Sequence, residues 1–457
     1  MRTLVRKLDI YVPLEKLAAE CHEESPCVFL DSSLPGERGR YSILGRNPYL
    51  TFYEWNGQCF KNKEKISESI EEALDSYLKE NWEENPSSLP ITAGALGYFS
   101  YDFGRKFEKI ESSSRAQVDM PEAWFTFYDN LIIEDCLRKE IYITAQGRKK
   151  EAETSWKELA DWVFACGEKT EEPLPEKHGR LAGFQADFKK EEYQKAIDAM
   201  IEYICGGDIY IANMTQQLVM ESKKAPYEVF RYLRTHNPAP FGGYLNYGDF
   251  QIVCASPERF LKVKGKQVET RPVKGTRKRG ETPEEDERLK EELAQSEKDR
   301  SELLMIVDLE RNDLNHVCKP QTVKVMEHFA VETYATVFHL VSTVMGELRE
   351  EASLMELIKA AFPGGSITGA PKIRAMEIIE ELELSQRGIY TGSIGYLSLD
   401  GSCDFNIVIR TAVFQKGKYH LGVGGGITCE SDTEFEYEET LQKAKAIREA
   451  VYDGENG

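Results

Sequence analysis

Alternating and short continuous apolar stretches dominate the first third of the chain. Those at 27–30, 49–55, 124–133 and 140–144 predict strands, because successive strand residues face opposite sides of a sheet. At 66–78 and 154–166 the apolar residues instead return every three or four positions, which predicts two amphipathic helices. A polar stretch at 167–183, highly charged and carrying Pro173 and Pro175, then separates a first region, 1–166, from a second, 184–452.

The second region opens with a helical pattern at 189–205 that stops at Gly206 and Gly207. Strands are predicted at 209–220, 241–245, 250–255, 260–263 and 267–270, and one long helix at 283–314, charged in its first half and apolar around 303–307. Helices at 352–361 and 371–384, strands at 390–399, 405–414 and 419–423, and a helix at 434–451 complete the pattern. Strands of antiparallel character mixed with helices indicate an α+β (α/β sandwich) fold, not a regular βαβ series.

Composition narrows the classes of function. With 457 residues, 41% of them hydrophobic, the chain can bury a large core. A net charge of −20 repels nucleic acid and anionic lipid, so no nucleic-acid or membrane partner is expected, and an anionic ligand needs local cations, a metal or helix N-termini. The ten cysteines show no Cys-x-x-Cys pair and follow no signal peptide, and no apolar run reaches the roughly 18 residues of a membrane span. A cytoplasmic location is the expectation.

Candidate chemistry centres on 271–280, Arg-Pro-Val-Lys-Gly-Thr-Arg-Lys-Arg-Gly. Pro272 and Gly275 suggest a turn that holds the Lys274 amine over a cavity as base, nucleophile or point charge; a solvated basic turn is the alternative. Glu258, between two predicted strands, is either a surface partner of Arg259 or an acid facing Lys274 across a substrate. Asp299 with Glu302 and Glu436 with Glu439 share a spacing of three, which puts each pair on one helix face. Two such faces opposed would suit Mg2+, although Thr433 and Glu436 also read as a capping box and Asp299 sits in a general charge run.

Two glycine-rich stretches add to this. The one at 364–372 leads into a helix with Pro371 at its first position, whose amides could hold a carboxylate. The glycines at 422–426 follow a strand but precede no dinucleotide-fold helix, and suit close approach of backbone to a flat ligand. Arg410, in an apolar run, needs an anionic partner if buried, and His339 taken alone reads as a core histidine.

The ordered set of Ser-Pro-Glu-Arg-Phe at 256–260, the lysine stretch at 271–280, Asp-Arg-Ser-Glu-Leu-Leu-Met-Ile-Val-Asp-Leu-Glu-Arg-Asn-Asp at 299–313, Gly-Ser-Ile-Thr-Gly-Ala-Pro-Lys at 365–372, Tyr-Thr-Gly at 390–392 and the glycine run with its terminal Glu-x-x-Glu resembles the chorismate-utilising enzymes. The resemblance runs from about 189 to 448, and Asp-Ser-Ser at 31–33, Gly-Tyr-Phe-Ser-Tyr-Asp at 97–102 and Asn-Pro-Ala-Pro-Phe at 237–241 extend it. It implies two large, mostly antiparallel sheets packed together with helices outside. Lys274 and the lysine-free Tyr-Ile-Ala-Asn at 210–213 resemble, within the family, the aminodeoxychorismate synthase component I branch, with anthranilate synthase component I as the alternative.

Residue roles follow from that resemblance as expectations. Lys274 would form a covalent intermediate with chorismate while Glu258 protonates the departing hydroxyl. Glu302 and Glu439 would ligate Mg2+, with Glu436 and Asp299 on its waters. Arg410, Tyr390, Gly424, Gly425, Gly426 and Lys443 would hold the enolpyruvyl carboxylate, and Gly275, Thr276 and His339 would line the ring. Asp31, Ser32, Asn237, Pro238 and Phe241 would form a pocket for a tryptophan-like effector. With no glutaminase signature in the chain, ammonia would come from a separate glutamine amidotransferase subunit.

Overall fold

A computed structural model describes residues 3–110, 114–170, 172–333 and 337–454. Residues 1–2 and 111–113 of the expected first region, 171 of the polar stretch and 334–336 of the second region lie outside it. Two long strands, Tyr41–Trp55 and Ala123–Asp135, pair along most of their length and form the spine. Each also takes partners on its other edge, so two arms leave the spine.

The first arm runs through Cys27–Asp31, Phe241–Asn246, Gln251–Ser256 and Thr411–Gln415 and ends on Lys418–Ile427, paired with Ile211–Glu221. The second runs through Gly94–Phe99, Ser393–Ser398, Cys403–Asn406, Arg259–Lys264 and Gln267–Thr270 and ends on Val337–Glu347, flanked by Val273–Lys278 and Lys324–Thr333. All these pairings are antiparallel, and with the shorter strands at their edges they belong to one hydrogen-bonded network of 22 strands among the described residues.

Strand alternation explains why the arms stack. Val28, Leu245, Ile252 and Val413 of the first arm share one buried cluster with Leu96, Tyr98, Ile394 and Tyr396 of the second. The intervening residues face outward. Phe29, Val253 and Leu421 pack under the helices Leu14–Ala19, Ala152–Glu168, Pro226–His236 and Thr433–Val451, whereas Phe99, Leu397 and Phe405 pack under Ile70–Glu80, Glu297–Asn315 and Leu354–Ala361. Each fully buried Leu, Ile or Phe of these clusters contributes about 1.5–3 kcal/mol. The architecture is an α+β sandwich with helices on its outer faces. Strands from before and after the polar stretch are neighbours in the sheet, Cys27–Asp31 with Phe241–Asn246 and Gly94–Phe99 with Ser393–Ser398. No described helix is long and apolar enough to cross a membrane.

Four differences from the sequence reading matter for the site. The stretch 271–280 is not a turn, because Val273–Lys278 is a strand. The long helix at 283–314 is two, Pro283–Gln295 and Glu297–Asn315, since Ser296 turns extended and its hydroxyl accepts the Asp299 amide at 3.3 Å. The strand expected at 405–414 is broken at 407–410, where the chain crosses from one arm to the other and Arg410 takes φ 50°. Pro371 caps the helix Lys372–Leu382 from outside it, one residue earlier than expected.

Candidate active site

The lysine is delivered by an irregular strand. Against Val337–Glu347 the register slips between Lys274 and Thr276, and Gly275 takes φ 77°, which glycine adopts without strain. A methyl on Gly275 would also lie 2.8 Å from the Asp299 carboxyl carbon. The bulge re-aims the side chain: the Lys274 Nζ lies 3.1 Å from where a Cβ on Gly426 would sit. The terminal strands of the two arms therefore meet at this amine.

The Lys274 amine makes no hydrogen bond or ion pair among the described residues. Loss of water holds its pKa below the ordinary lysine value, although Glu302, Glu258 and Glu439 pull the other way. Glu258 is 8% exposed, and burial pushes its carboxyl up to about 7 against the opposing effects of the Ser366 hydrogen bond and Lys274. Ser366 donates its hydroxyl to Glu258 Oε1 at 2.9 Å. The pair with Arg259 does not form; that guanidinium turns to Asp404 and Glu269. An amine whose pKa is lowered thus stands near a carboxyl whose pKa is raised.

Carboxylates crowd the same opening. Gly425 brings the backbone within reach of two of them, since a methyl there would lie 2.9 Å from Glu439 Oε2 and 3.0 Å from Glu436 Oε2. Asp432, not Thr433, caps the helix, which leaves Glu436 to accept the Ser431 hydroxyl at 2.8 Å. Burial raises the pKa of Glu436, and likewise that of Glu302, where Lys274 and Lys298 oppose the shift. Lys443 donates to the Gly424 carbonyl at 2.8 Å and pairs with Glu439 at 3.2 Å. Asp299, by contrast, is taken up by Arg277 at 3.0 Å. No group of three acidic, histidine or cysteine side chains is assembled as a metal cage among the described residues.

The remaining wall combines donors with neutral polar groups. Thr276 Oγ1 and His339 Nδ1 are 2.9 Å apart, and burial lowers the histidine to about 4, so the ring is neutral. The Arg410 guanidinium has no hydrogen-bond or ion-pair partner among the described residues. Its side chain is open to solvent yet enclosed by protein, as expected of a cavity wall, and the loss of water lowers its pKa. From Gly422 to Gly426 the strand has a partner on one edge only, which leaves alternate backbone amides open on the other. Two non-glycine residues here take the left-handed region, Arg410 and Thr391 at φ 61°.

The chorismate binding enzyme model matches residues 25–449. The chain belongs to this family. It is 37% identical over 428 residues to the aminodeoxychorismate synthase component 1 of Bacillus subtilis, covering 90% of this chain and 89% of the relative. It is 38% identical over 441 residues to the anthranilate synthase component 1 of Thermus thermophilus, covering 95% and 94%. Among solved structures, anthranilate synthase component I from Streptococcus pneumoniae aligns with a TM-score of 0.81 at 30% identity, over 96% of this chain and 98% of that one. The protein is thus a chorismate-utilising enzyme, and relatives of two reaction types match it equally well.

Away from this pocket, a cavity of about 170 Å3 is lined by Asp31 and Phe241 together with Arg38, Tyr41 and Tyr396. Ser32, Asn237 and Pro238, expected beside them, do not line it: Ser32 donates to the Pro240 carbonyl at 3.0 Å and Asn237 ends the helix Pro226–His236. The sequence reading also missed Ser366 as the partner of Glu258, and Arg387, whose i,i+4 spacing from Glu383 was the available signal.

Proposed function

We propose that this chorismate-utilising enzyme aminates chorismate at ring carbon 4, as an aminodeoxychorismate synthase component I, with ammonia supplied by a separate glutamine amidotransferase subunit. The observation that carries the proposal is the Lys274 amine, desolvated, without a hydrogen-bond or ion-pair partner among the described residues, and facing a half-protonated Glu258. Hydroxide is a poor leaving group, so Glu258 gives its proton to the departing 4-hydroxyl while Lys274 Nζ adds at carbon 2 and both ring double bonds shift toward carbon 4. Ammonia then adds at carbon 4, both double bonds shift back, and the lysine amine leaves from carbon 2. The product is 4-amino-4-deoxychorismate, a precursor of 4-aminobenzoate and folate.

The other residues bind and orient. Arg410 and the open amides of 424–426 suit the enolpyruvyl carboxylate, with the Tyr390 hydroxyl kept protonated by burial. The donor set also fits Mg2+, which commonly uses one or two protein carboxylates together with substrate and water. Glu302 and Glu439 would hold it, with Glu436, which converges with Glu439 at Gly425, on its waters. When bound, the ion would neutralise the ring carboxylate of the substrate. A cytoplasmic location and a tryptophan-like effector in the Asp31–Phe241 cavity belong to the same reading.

Anthranilate synthase component I is the second reading, favoured by the Thermus relative. One assay separates the two. Purified protein with chorismate, Mg2+ and ammonium chloride, followed by an added aminodeoxychorismate lyase, is expected to yield 4-aminobenzoate; anthranilate as the sole product would overturn the proposal.

A further inference from the structure

Behind Tyr390 lies a second cavity, of about 190 Å3. A methyl on Gly422 would overlap the Tyr390 ring, so that ring lies flat on the strand and forms a partition. By strand alternation His420 and Gly422 share a face with Gly426, against which Lys274 lies, and Gln217 stands directly opposite Gly422. The catalytic pocket and this cavity are thus consecutive compartments on one sheet face.

The lining of the cavity is polar and under-satisfied. Gln217 is 6% exposed, and its amide nitrogen has no hydrogen-bond partner among the described residues. His420 Nδ1 and Glu122 Oε2 are in the same state, although Glu122 Oε1 accepts the Asn56 amide at 3.1 Å. Burial of such atoms without partners is unfavourable, and a small hydrogen-bonding ligand would offset that cost. Charge then selects the ligand. Asp119 and Glu122 add negative charge to the lining, whereas Asp102 is paired with Arg105 at 2.9 Å and Arg387, the one lysine or arginine among the described lining residues, is paired with Glu383. Chorismate, a dianion, is disfavoured there; a small cation or a neutral donor is favoured. Asp119, on an exposed stretch, marks the mouth, and the buried Gln217, Tyr390 and Gly422 form the floor.

We propose that this cavity is the entrance for the nitrogen nucleophile, which arrives at the Asp119 mouth as ammonium and reaches the Tyr390 partition as ammonia. The proton passes to the half-buried Glu122 carboxylate, whose pKa burial raises to about 7, and from there to water at the Asp119 mouth, because a charged ammonium is disfavoured as water is lost toward the floor. Ammonia and chorismate would then enter the catalytic pocket from different sides. The inference rests on the amination reading above.

The test is steady-state kinetics with ammonium chloride as the nitrogen source. Gln217→Met and His420→Phe, alone and combined, are expected to raise KM for ammonium roughly tenfold per lost hydrogen-bonding group while KM for chorismate stays unchanged. Asp119→Asn, at the exposed mouth where folding is not at stake, is expected to raise it at low ionic strength and to match the wild type at high salt. An unchanged ammonium KM in both the double variant and Asp119→Asn overturns the entrance. Absence of any aminated product from the wild type would instead sink the amination reading. A parallel arm with glutamine and a glutaminase subunit identifies the source: impairment in both arms shows one route for free and delivered ammonia, and impairment with ammonium alone shows an entrance for the free species.

Discussion

Arg387 and Lys274 are both cations held away from water at the ends of the two arms, and their surroundings treat them in opposite ways. Arg387 bonds Glu383 through Nε and Nη2, donates to the carbonyl of Ile367 at 2.8 Å and also to that of Asn213, and stacks over Tyr101 at 4.5 Å. Lys372 follows the same pattern, with Asp313 at 2.6 Å and the Ala361 carbonyl at 2.9 Å. Lys274 has carboxylates around it and bonds none of them. A satisfied buried charge ties elements together; an unsatisfied one is kept for a ligand, and its pKa moves accordingly.

The sharpest way to break this contrast is to delete the unsatisfied amine. Lys274→Ala is expected to lower kcat for 4-amination by about four orders of magnitude, about 5.4 kcal/mol of barrier, while the urea midpoint does not fall. Near wild-type 4-amination in that variant would remove the lysine from a covalent role. The converse change is Arg387→Leu, which strands Glu383 in the core. It should cost about 3–5 kcal/mol in urea unfolding, and a loss below about 1 kcal/mol would show that the network does not hold the two arms together.

A finer test uses pH. Because the Glu258 carboxyl is raised to about 7 by burial, and the protonated form is the one that can donate, kcat should fall as pH rises through about 7. Glu258→Gln should lower kcat by about 10^2–10^4 and abolish that limb. A limb that persists in the glutamine variant would assign it to another group, with Lys274 required neutral on the acid side.

Much of the site was legible before the fold because its residues sit in short contiguous motifs. Glu258, Lys274 and the spacing of Glu436 and Glu439 needed only local reading. The turn expected around Lys274 failed because Pro272 and Gly275 signal a bend without saying whether a partner strand lies alongside. That partner, Val337–Glu347, escaped detection, as did its hairpin mate Lys324–Thr333, whose residues are mostly half-buried or exposed and lack clean alternation. Asp299 looked equivalent to Glu302 by spacing; the nearby Arg277, delivered by a strand twenty-two residues earlier, took it.

The sequence by itself determined the family, the α+β alternation of elements and the candidate acid and amine, since each is written in residues close together in the chain. The tertiary structure alone decided which charges are satisfied, how the Gly275 bulge aims Lys274 at Gly426, and that the Tyr390 ring packs on Gly422 in the wall of a second cavity. Those outcomes depend on strands that meet from distant parts of the chain, such as Lys418–Ile427 with Ile211–Glu221, and burial and hydrogen-bond completion exist only once they have met.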